Sequence, residues 1–568
     1  MTLADVREQL RQKQAEAAII TRNNQFIGQD VRNDENVIRA LTGFNGSDGV
    51  LIVTSDRAFL FVDGRYELQA AQQTDPDEVE VICQKNISIF VTASNWLKYH
   101  QHSKTTILYN SWCLSAENRQ RFQKMLPEAR FIADARPMPT SKAHVFNLPL
   151  KYSGSSFSEK LTAVGNFLKQ RGKSACFCAA ADSVSWLLNL RSDALPESPV
   201  LRAMALITAD GQYRLFGENL QLPADCPFCF LPFSAIESEI AAFASEAWLM
   251  EFNKTPAQIL NIMAKHHIVP ADLNDPCQQL KSVKNKTELK GFKQAHLHDG
   301  IAVCRFLCWL DHNRKPISEW QIVEKLRSFR QQQPLFYADS FATIAGSGAN
   351  AAVIHYQPTP EHNSLLTKNS VLLLDSGAQY FNGTTDITRT IAIGRPGKEI
   401  IRNYTVVLKA HIALASLTFP ADIAGSKMDT VCRSVMWRCH MDYSHGTGHG
   451  VGHFLNVHES PNNFSWRGSP QPLQAGNVTS IEPGYYKAGC YGIRIENLMY
   501  VTPIKNSDMM KFEFLTLVPL DKRLIDKYLL TGEERTWINK YHQMVYRKIS
   551  PYLDNREKQW LQKVCSPL

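Results

Sequence analysis

The chain has 568 residues, 44% of them apolar and 20% charged, more than one hydrophobic core normally supports, which excludes a disordered or fibrous protein and calls for several domains. Its 62 Lys and Arg against 54 Asp and Glu leave +8, too little and too scattered to track a phosphate backbone, so nucleic acid is not an expected partner. The opening MTLADVREQLRQKQAEAA mixes both charge signs and lacks the apolar centre of a secretory signal, and no apolar run is long enough to span a bilayer; a cytoplasmic protein with no membrane partner is expected.

Residues 1–135 read as one α/β domain. A helix opens it, AAIIT follows as a strand, GVLIVTSDRAFLFVD as a hairpin and RYELQAAQQ as the start of a helix. Periodicity breaks at ARPMPTSKAH, and 136–278 begins the pattern again with a helix in SEKLTAVGNFLKQRG, a strand in ACFCAAA and a hairpin in ALITADGQYRLFG. The likeness of order suggests a duplication, although the two halves do not align convincingly. Thirteen Cys, an odd number spread along the chain, read as reduced thiols, and Cys226 with Cys229 form a lone CxxC that no second pair completes into a zinc site.

A second break at VPADLNDPCQQ opens 279–568. NKTELKGFKQAHLHDGIAVCRFLCWLDHN reads as a charged entry into one long helix, after which helices alternate with antiparallel hairpins, an α+β pattern. The last segment, RTWINKYHQMVYRKISPYLDNREKQWLQKV, reads as an amphipathic helix pair.

Chemistry concentrates in this last part. In VLLLDSGAQYFNGTTDITRTIAI, Asp375 ends one β-rich run and Asp386 begins the next around Asn382-Gly383, a strong turn signal. A two-residue turn there would offset the two carboxylates along the strands by roughly 13 Å, so a shared metal requires a wide or bulged connection. Glu482 and Glu496 in SIEPGYYKAGCYGIRIEN stand symmetrically about Gly489, and a hairpin brings them together directly. Between the two pairs, HGTGHGVGHFLNVHE spaces His445, His449 and His453 at four residues. The glycines would each cost a helix about 1 kcal/mol, so the segment reads as extended, with successive histidines about 13 Å apart and only one of them available to a given metal.

A lone Asp at a strand end is usually a turn residue, and a lone core His is usually just hydrogen-bonded. Four carboxylates and a glycine-flanked His in two hairpins and a strand ask for a common reason. Four such charges cannot be buried together unpaired; two divalent cations balance them and one does not. Oxygen donors with one imidazole suit Mn²⁺ or Co²⁺, with Zn²⁺ open as well. Two ions about 3.5 to 4 Å apart can bridge and activate one water, which points to hydrolysis.

At this point the motifs IHY at 354–356, LDSGAQY, GTTDITRT, HGTGHGVGHFLNVHE, EPGYY and GIRIEN, with weaker FNGSDG and VDGRYELQAA near the start, resemble the pita-bread metallopeptidases, and among them the three-domain Xaa-Pro aminopeptidases (aminopeptidase P). The resemblance implies two creatinase-like α/β domains ahead of an α+β pita-bread catalytic domain with a C-terminal helical extension. It implies two divalent ions, Mn²⁺ first and Zn²⁺ or Co²⁺ as alternatives, held by Asp375, Asp386, His449, Glu482 and Glu496, with Asp386 and Glu496 bridging, Asp375 on one ion and His449 with Glu482 on the other. Glu482 would pass the water's proton to the leaving proline nitrogen, His355 and His458 would hold the substrate carbonyl or tetrahedral intermediate, and His445 would line the proline pocket. Arg65 in DGRY would reach the peptide from the first domain, a surface ion pair being its alternative, so the substrate-contacting set is Arg65, His355, His445, His449 and His458. The implied activity is release of the residue before an N-terminal proline, by a homodimer; a prolidase-type dipeptidase and a silent scaffold are the alternatives. His453 and Ile481 depart from the family pattern without removing a ligand. Arg494, two residues from Glu496, is expected to steady it.

Overall fold

The computed structural model describes residues 1–28, 31–85, 87–100, 104–466, 468 and 470–568. The chain packs into two compact units. The first comprises Met1–Pro149, Ser155–Leu195 and Pro199–Leu280, and the second comprises Leu150–Gly154, Pro196–Ser198 and Lys281–Leu568.

In the two larger sheets of the first unit the strand runs match the apolar, β-branched stretches of the sequence, and a smaller sheet joins Leu220–Gln221, Ala143–Asn147 and Leu190–Ser192. The first sheet orders Val79–Cys83, Ala58–Val62, Val50–Thr54, Ala17–Thr21, Thr106–Asn110 and Arg130–Asp134. The second orders Tyr213–Phe216, Met204–Thr208, Ala175–Cys178, Trp248–Met250 and Ala271–Asp272. In each, the first strand in sequence lies centrally, antiparallel to the next strand of a hairpin on one side and parallel to a later strand on the other. The second sheet thus repeats the first without a counterpart of Val79–Cys83, which is the topological form of the suspected duplication.

The second unit opens with the long helix Lys286–His312. Asn285 caps it by accepting from the Thr287 and Glu288 N–H groups while Glu288 reaches back, the reciprocal arrangement that NKTE encodes. All strand pairs among its named strands are antiparallel. A three-stranded sheet holds Ile344–Ser347, Ser370–Ser376 and Ile387–Ile393; a six-stranded sheet runs Thr418–Pro420, Met509–Phe514, Asn497–Pro503, Val478–Ile481, Gly448–Gly450 and Glu459–Phe464. Helices Lys398–Ala415 and Gly425–Trp437 close the core on one side, and the C-terminal helices Gly532–Ile549 and Asn555–Val564 add Ile538, Tyr541, Val545 and Leu561 to it. No described helix is long and apolar enough to cross a membrane.

Candidate metal centre

The connection between the two aspartates is wide, as the spacing argument requires. Ser370–Ser376 pairs with Ile387–Ile393 so that Asp375 faces Thr388, and the ten residues between the strands leave the ladder to form their own small hairpin, Ala378–Tyr380 with Gly383–Thr384. The turn of that inner hairpin is Phe381-Asn382, one residue earlier than the Asn382-Gly383 signal, because Gly383 pairs with Tyr380. Removing this hairpin from the main ladder brings Asp386 level with Asp375. Gly377 makes the departure feasible, since a Cβ there would stand 2.0 Å from the Thr385 carbonyl oxygen.

The glutamate hairpin turns on Gly489, whose φ of +69° favours glycine. Gly484 pairs with Arg494 and Ile481 with Asn497, so Glu482 and Glu496 occupy equivalent places between the two ladders.

The histidine segment is extended only over Gly448–Gly450. Gly448 lies so close to the neighbouring strand that a Cβ would come within 2.0 Å of the Ser480 carbonyl oxygen, which is why glycine alternates here. His449 is held by its backbone N–H donating to Ser480 Oγ at 2.9 Å, and its Nδ1 lies 2.9 Å from the Gly450 carbonyl. A carbonyl can only accept, so Nδ1 carries the hydrogen and Nε2 is left as the free donor atom for a metal. That Nε2 stands 3.4 Å from Asp386 Oδ2 and 3.5 Å from Glu482 Oε1. Beyond residue 450 the chain leaves the strand and passes through a left-handed Phe454 (φ +49°), so His453 does not share the face of His449. It is buried instead, donating from Nε2 to the Asn382 carbonyl at 3.0 Å with its ring edge-on to Phe292.

Asp386, His449 and Glu496 offer ligand atoms that all lie within 4.8 Å of one another. Asp375, Asp386 and Glu496 are buried, and each keeps one carboxylate oxygen (Oδ1, Oδ1 and Oε1) without a hydrogen bond among the described residues. Burial, then the facing Asp375 and Glu482 charges, pushes the Asp386 carboxyl well above its ordinary range; burial, then Asp386 and Glu482, does the same to Glu496, and burial raises Glu482. Buried acceptors with lone pairs aimed at one another are costly unless a cation completes them. The donor set therefore fits a divalent metal centre.

Arg494 reaches Glu496 through Thr388, whose Oγ1 accepts from Arg494 Nε at 3.2 Å, while the direct carboxylate partner of Arg494 is Asp375. It donates from NH2 to Asp375 Oδ2 at 2.6 Å, with Nε at 3.2 Å, from NH1 to Tyr486 Oη at 2.6 Å, and weakly to the Ile354 carbonyl at 3.4 Å. The reason is the hairpin, which sets Arg494 beside Gly484 and directs it across the sheet. Glu496 is served by the Thr388 hydroxyl, which donates to Oε2 at 2.9 Å. Tyr486 extends the network to His445 Nε2 at 2.8 Å. No motif marks Thr388 or Tyr486; the register Asp375 to Thr388 and the hairpin about Gly489 are the signals that could have found them.

His355 follows the Ile354 carbonyl that Arg494 holds, and the exposed His458 ring lies 4.3 Å from the His449 ring, edge to face. Arg65 belongs to the first unit, where Asp63 grips it from two sides, Nε to Oδ1 at 3.0 Å and NH2 to Oδ2 at 2.7 Å, with Asp48 at 3.5 Å. Within that unit the ion-pair reading of Arg65 is satisfied.

Comparison with known proteins agrees with this site. Residues 290–503 match the model of metallopeptidase family M24 and 508–568 that of the C-terminal region of peptidase M24, while 3–137 and 134–288 each match a creatinase/prolidase N-terminal domain. A probable Xaa-Pro aminopeptidase P of Laccaria bicolor is 34% identical over all of this chain and 93% of its own length, and aminopeptidase P2 of Arabidopsis thaliana is 33% identical over 93% of this chain and 82% of its own. The crystal structure of X-prolyl aminopeptidase from Caenorhabditis elegans, described as a cytosolic enzyme with a di-nuclear active site, superposes with a TM-score of 0.92 at 30% identity, covering 98% of this chain and 95% of that one. The chain belongs to the Xaa-Pro aminopeptidase P family, with creatinase-type N-terminal domains followed by an M24 pita-bread catalytic domain.

Proposed function

We propose that this chain is a two-metal exopeptidase that hydrolyses the bond before a proline in the second position of a peptide. The observation that carries the reading is the set of buried, orphaned carboxylate oxygens on Asp375, Asp386 and Glu496, with ligand atoms of Asp386, Glu496 and His449 all within 4.8 Å of one another. In this reading Asp375, Asp386, His449, Glu482 and Glu496 would hold two divalent ions, Mn²⁺ by preference, with Asp386 and Glu496 serving both, Asp375 one, and His449 with Glu482 the other. Two such ions supply the charge that activates a water and polarises the scissile carbonyl.

The protein does the rest. Arg494 fixes one Asp375 oxygen and thereby points the other inward. Glu482 keeps part of its side chain, 18%, open to solvent, which leaves it free to move a proton to the leaving nitrogen. That transfer is needed because an amide nitrogen leaves as an amine only once it is protonated, the proline nitrogen included. His458, beside His449, and His355 hold the substrate carbonyl, and His445, fixed by Tyr486, lines the proline pocket. Arg65 contributes to the peptide from the first unit. The chain divides functionally as 1–135, 136–278 and 279–568, works in the cytoplasm and pairs as a homodimer.

Chelator-stripped protein should release the N-terminal residue from Arg-Pro-Pro, and not from Arg-Ala-Ala, once Mn²⁺ is restored. Absence of any cleavage by protein shown to bind two ions would falsify the enzyme reading.

A further inference from the structure

The first unit contains a second group of metal-ligating side chains, which peptide hydrolysis does not use. On the strand Ala175–Cys178, Cys176 and Cys178 are two residues apart and leave the same face, their sulfurs 3.9 Å from each other. The chain enters the helix Pro276–Ser282 against them with Asp275 and Cys277. Cys178 Sγ lies 3.4 Å from Asp275 Oδ1, and single donor atoms of Cys178, Asp275 and Cys277 all lie within 4.8 Å of one another. All four residues are buried, at 0%, 1%, 3% and 0% exposure for Cys176, Cys178, Asp275 and Cys277.

The Cys176–Cys178 and Cys178–Asp275 separations are those of ligands about one ion. Four ligands bound tetrahedrally to zinc at about 2.3 Å for sulfur and about 2.0 Å for oxygen place sulfurs roughly 3.8 Å apart, and sulfur and oxygen roughly 3.5 Å apart.

The charge around the group points the same way. Asp275 Oδ1 accepts the Cys277 N–H at 2.7 Å, but Oδ2, with the Ser183 hydroxyl beside it, accepts no hydrogen bond among the described residues. The Asp275 N–H in turn donates to Glu251 Oε2 at 2.9 Å, and the Asp182 charge also reaches both carboxyls. Lys254 brings a positive charge to Glu251. Buried acids and thiols with so little positive charge near them are stabilised by a cation.

We propose that Cys176, Cys178, Cys277 and Asp275 form a structural site for one thiophilic divalent cation of the zinc class, tying the central strand of the second sheet to the helix Pro276–Ser282. Thiolates are the ligating form, so loading displaces thiol protons and accompanies folding. The sulfur-rich donors distinguish this ion from those of the catalytic centre, which has oxygen and imidazole donors only.

That difference supplies the test. Protein made in cells grown on cobalt takes up Co²⁺ while it folds, and only a sulfur-ligated ion gives a thiolate-to-cobalt charge-transfer band in the near ultraviolet. The band is expected in the wild-type chain and in Cys226→Ser/Cys229→Ser, which removes the exposed CxxC as a source, and it should disappear in Cys178→Ser. A wild-type cobalt protein with no such band would overturn the site whether or not the Cys178 variant folds. So would a band lost with Cys226→Ser/Cys229→Ser, or one that survives Cys178→Ser.

Discussion

Two buried acidic groups in the second unit are built in opposite ways. Glu459, 4% exposed, is completed by the protein itself: Lys281 Nζ lies 2.8 Å from Oε2, and Lys284 pairs with Oε1. Asp299 is completed likewise, by Arg330 at 2.8 Å and the Tyr380 hydroxyl at 3.2 Å. Among the described residues, Lys and Arg contribute one ion pair to the cluster of Asp375, Asp386, Glu482 and Glu496, Arg494 with Asp375, and the cluster keeps unpaired oxygens at its centre. Burial and acidity are common to both groups. What marks the functional one is that its charge balance and hydrogen bonding are unfinished without a ligand.

The contrast can be broken most directly at Glu496. Glu496→Gln should lower kcat/KM by more than the roughly 100-fold that loss of an outer partner of a metal site costs, yet the metal-free variant should melt no lower than the metal-free parent, since a repulsive charge has been removed. A large drop in that melting temperature would show that the cluster contributes to the fold in its own right. Glu459→Gln should do the reverse and destabilise the protein by about 3 to 5 kcal/mol, the usual result of leaving a buried charge without its partner. Denaturant unfolding measures this, and a change below about 1 kcal/mol would contradict the assignment of Glu459 as a finished structural pair.

Acid should attack the interior through buried histidines. Burial lowers His296 to about 4 and His411 and His542 to about 3. His542 Nε2 accepts the Leu520 N–H, and His411 Nε2 accepts from Asn497, so protonation removes an acceptor as well as burying a charge. Folded values below the unfolded value near 6.5 mean that the unfolded chain binds more protons in that window. Their stabilisation is therefore complete above about 6.5 and lost as pH falls toward 4 and 3, at about 1.4 kcal/mol for each histidine by pH 5.5. Melting curves that stay level from pH 7 to 5 would contradict it. The smallest effect belongs to Tyr486→Phe, which removes the hydroxyl between Arg494 and His445. It should cost about tenfold in kcat/KM for a proline tripeptide with the fold intact, and an unchanged value would detach that network from the chemistry.

Local chemistry made much of this legible in the sequence. The glycines of HGTGHGVG forbid a helix, the symmetry of Glu482 and Glu496 about Gly489 implies a hairpin, NKTE announces the cap of the long helix, and four clustered carboxylates ask for cations. Each follows from backbone preference or charge balance over a few residues. What only the tertiary structure decided is which groups meet across elements. The inner hairpin that brings Asp386 level with Asp375, the choice of Arg494 for Asp375 rather than Glu496, the inward turn of His453 and the pairing of Glu459 with Lys281 and Lys284 all depend on register between strands distant in sequence. A single sequence carries the alternation of faces along a strand. The partner that each face meets is set by packing.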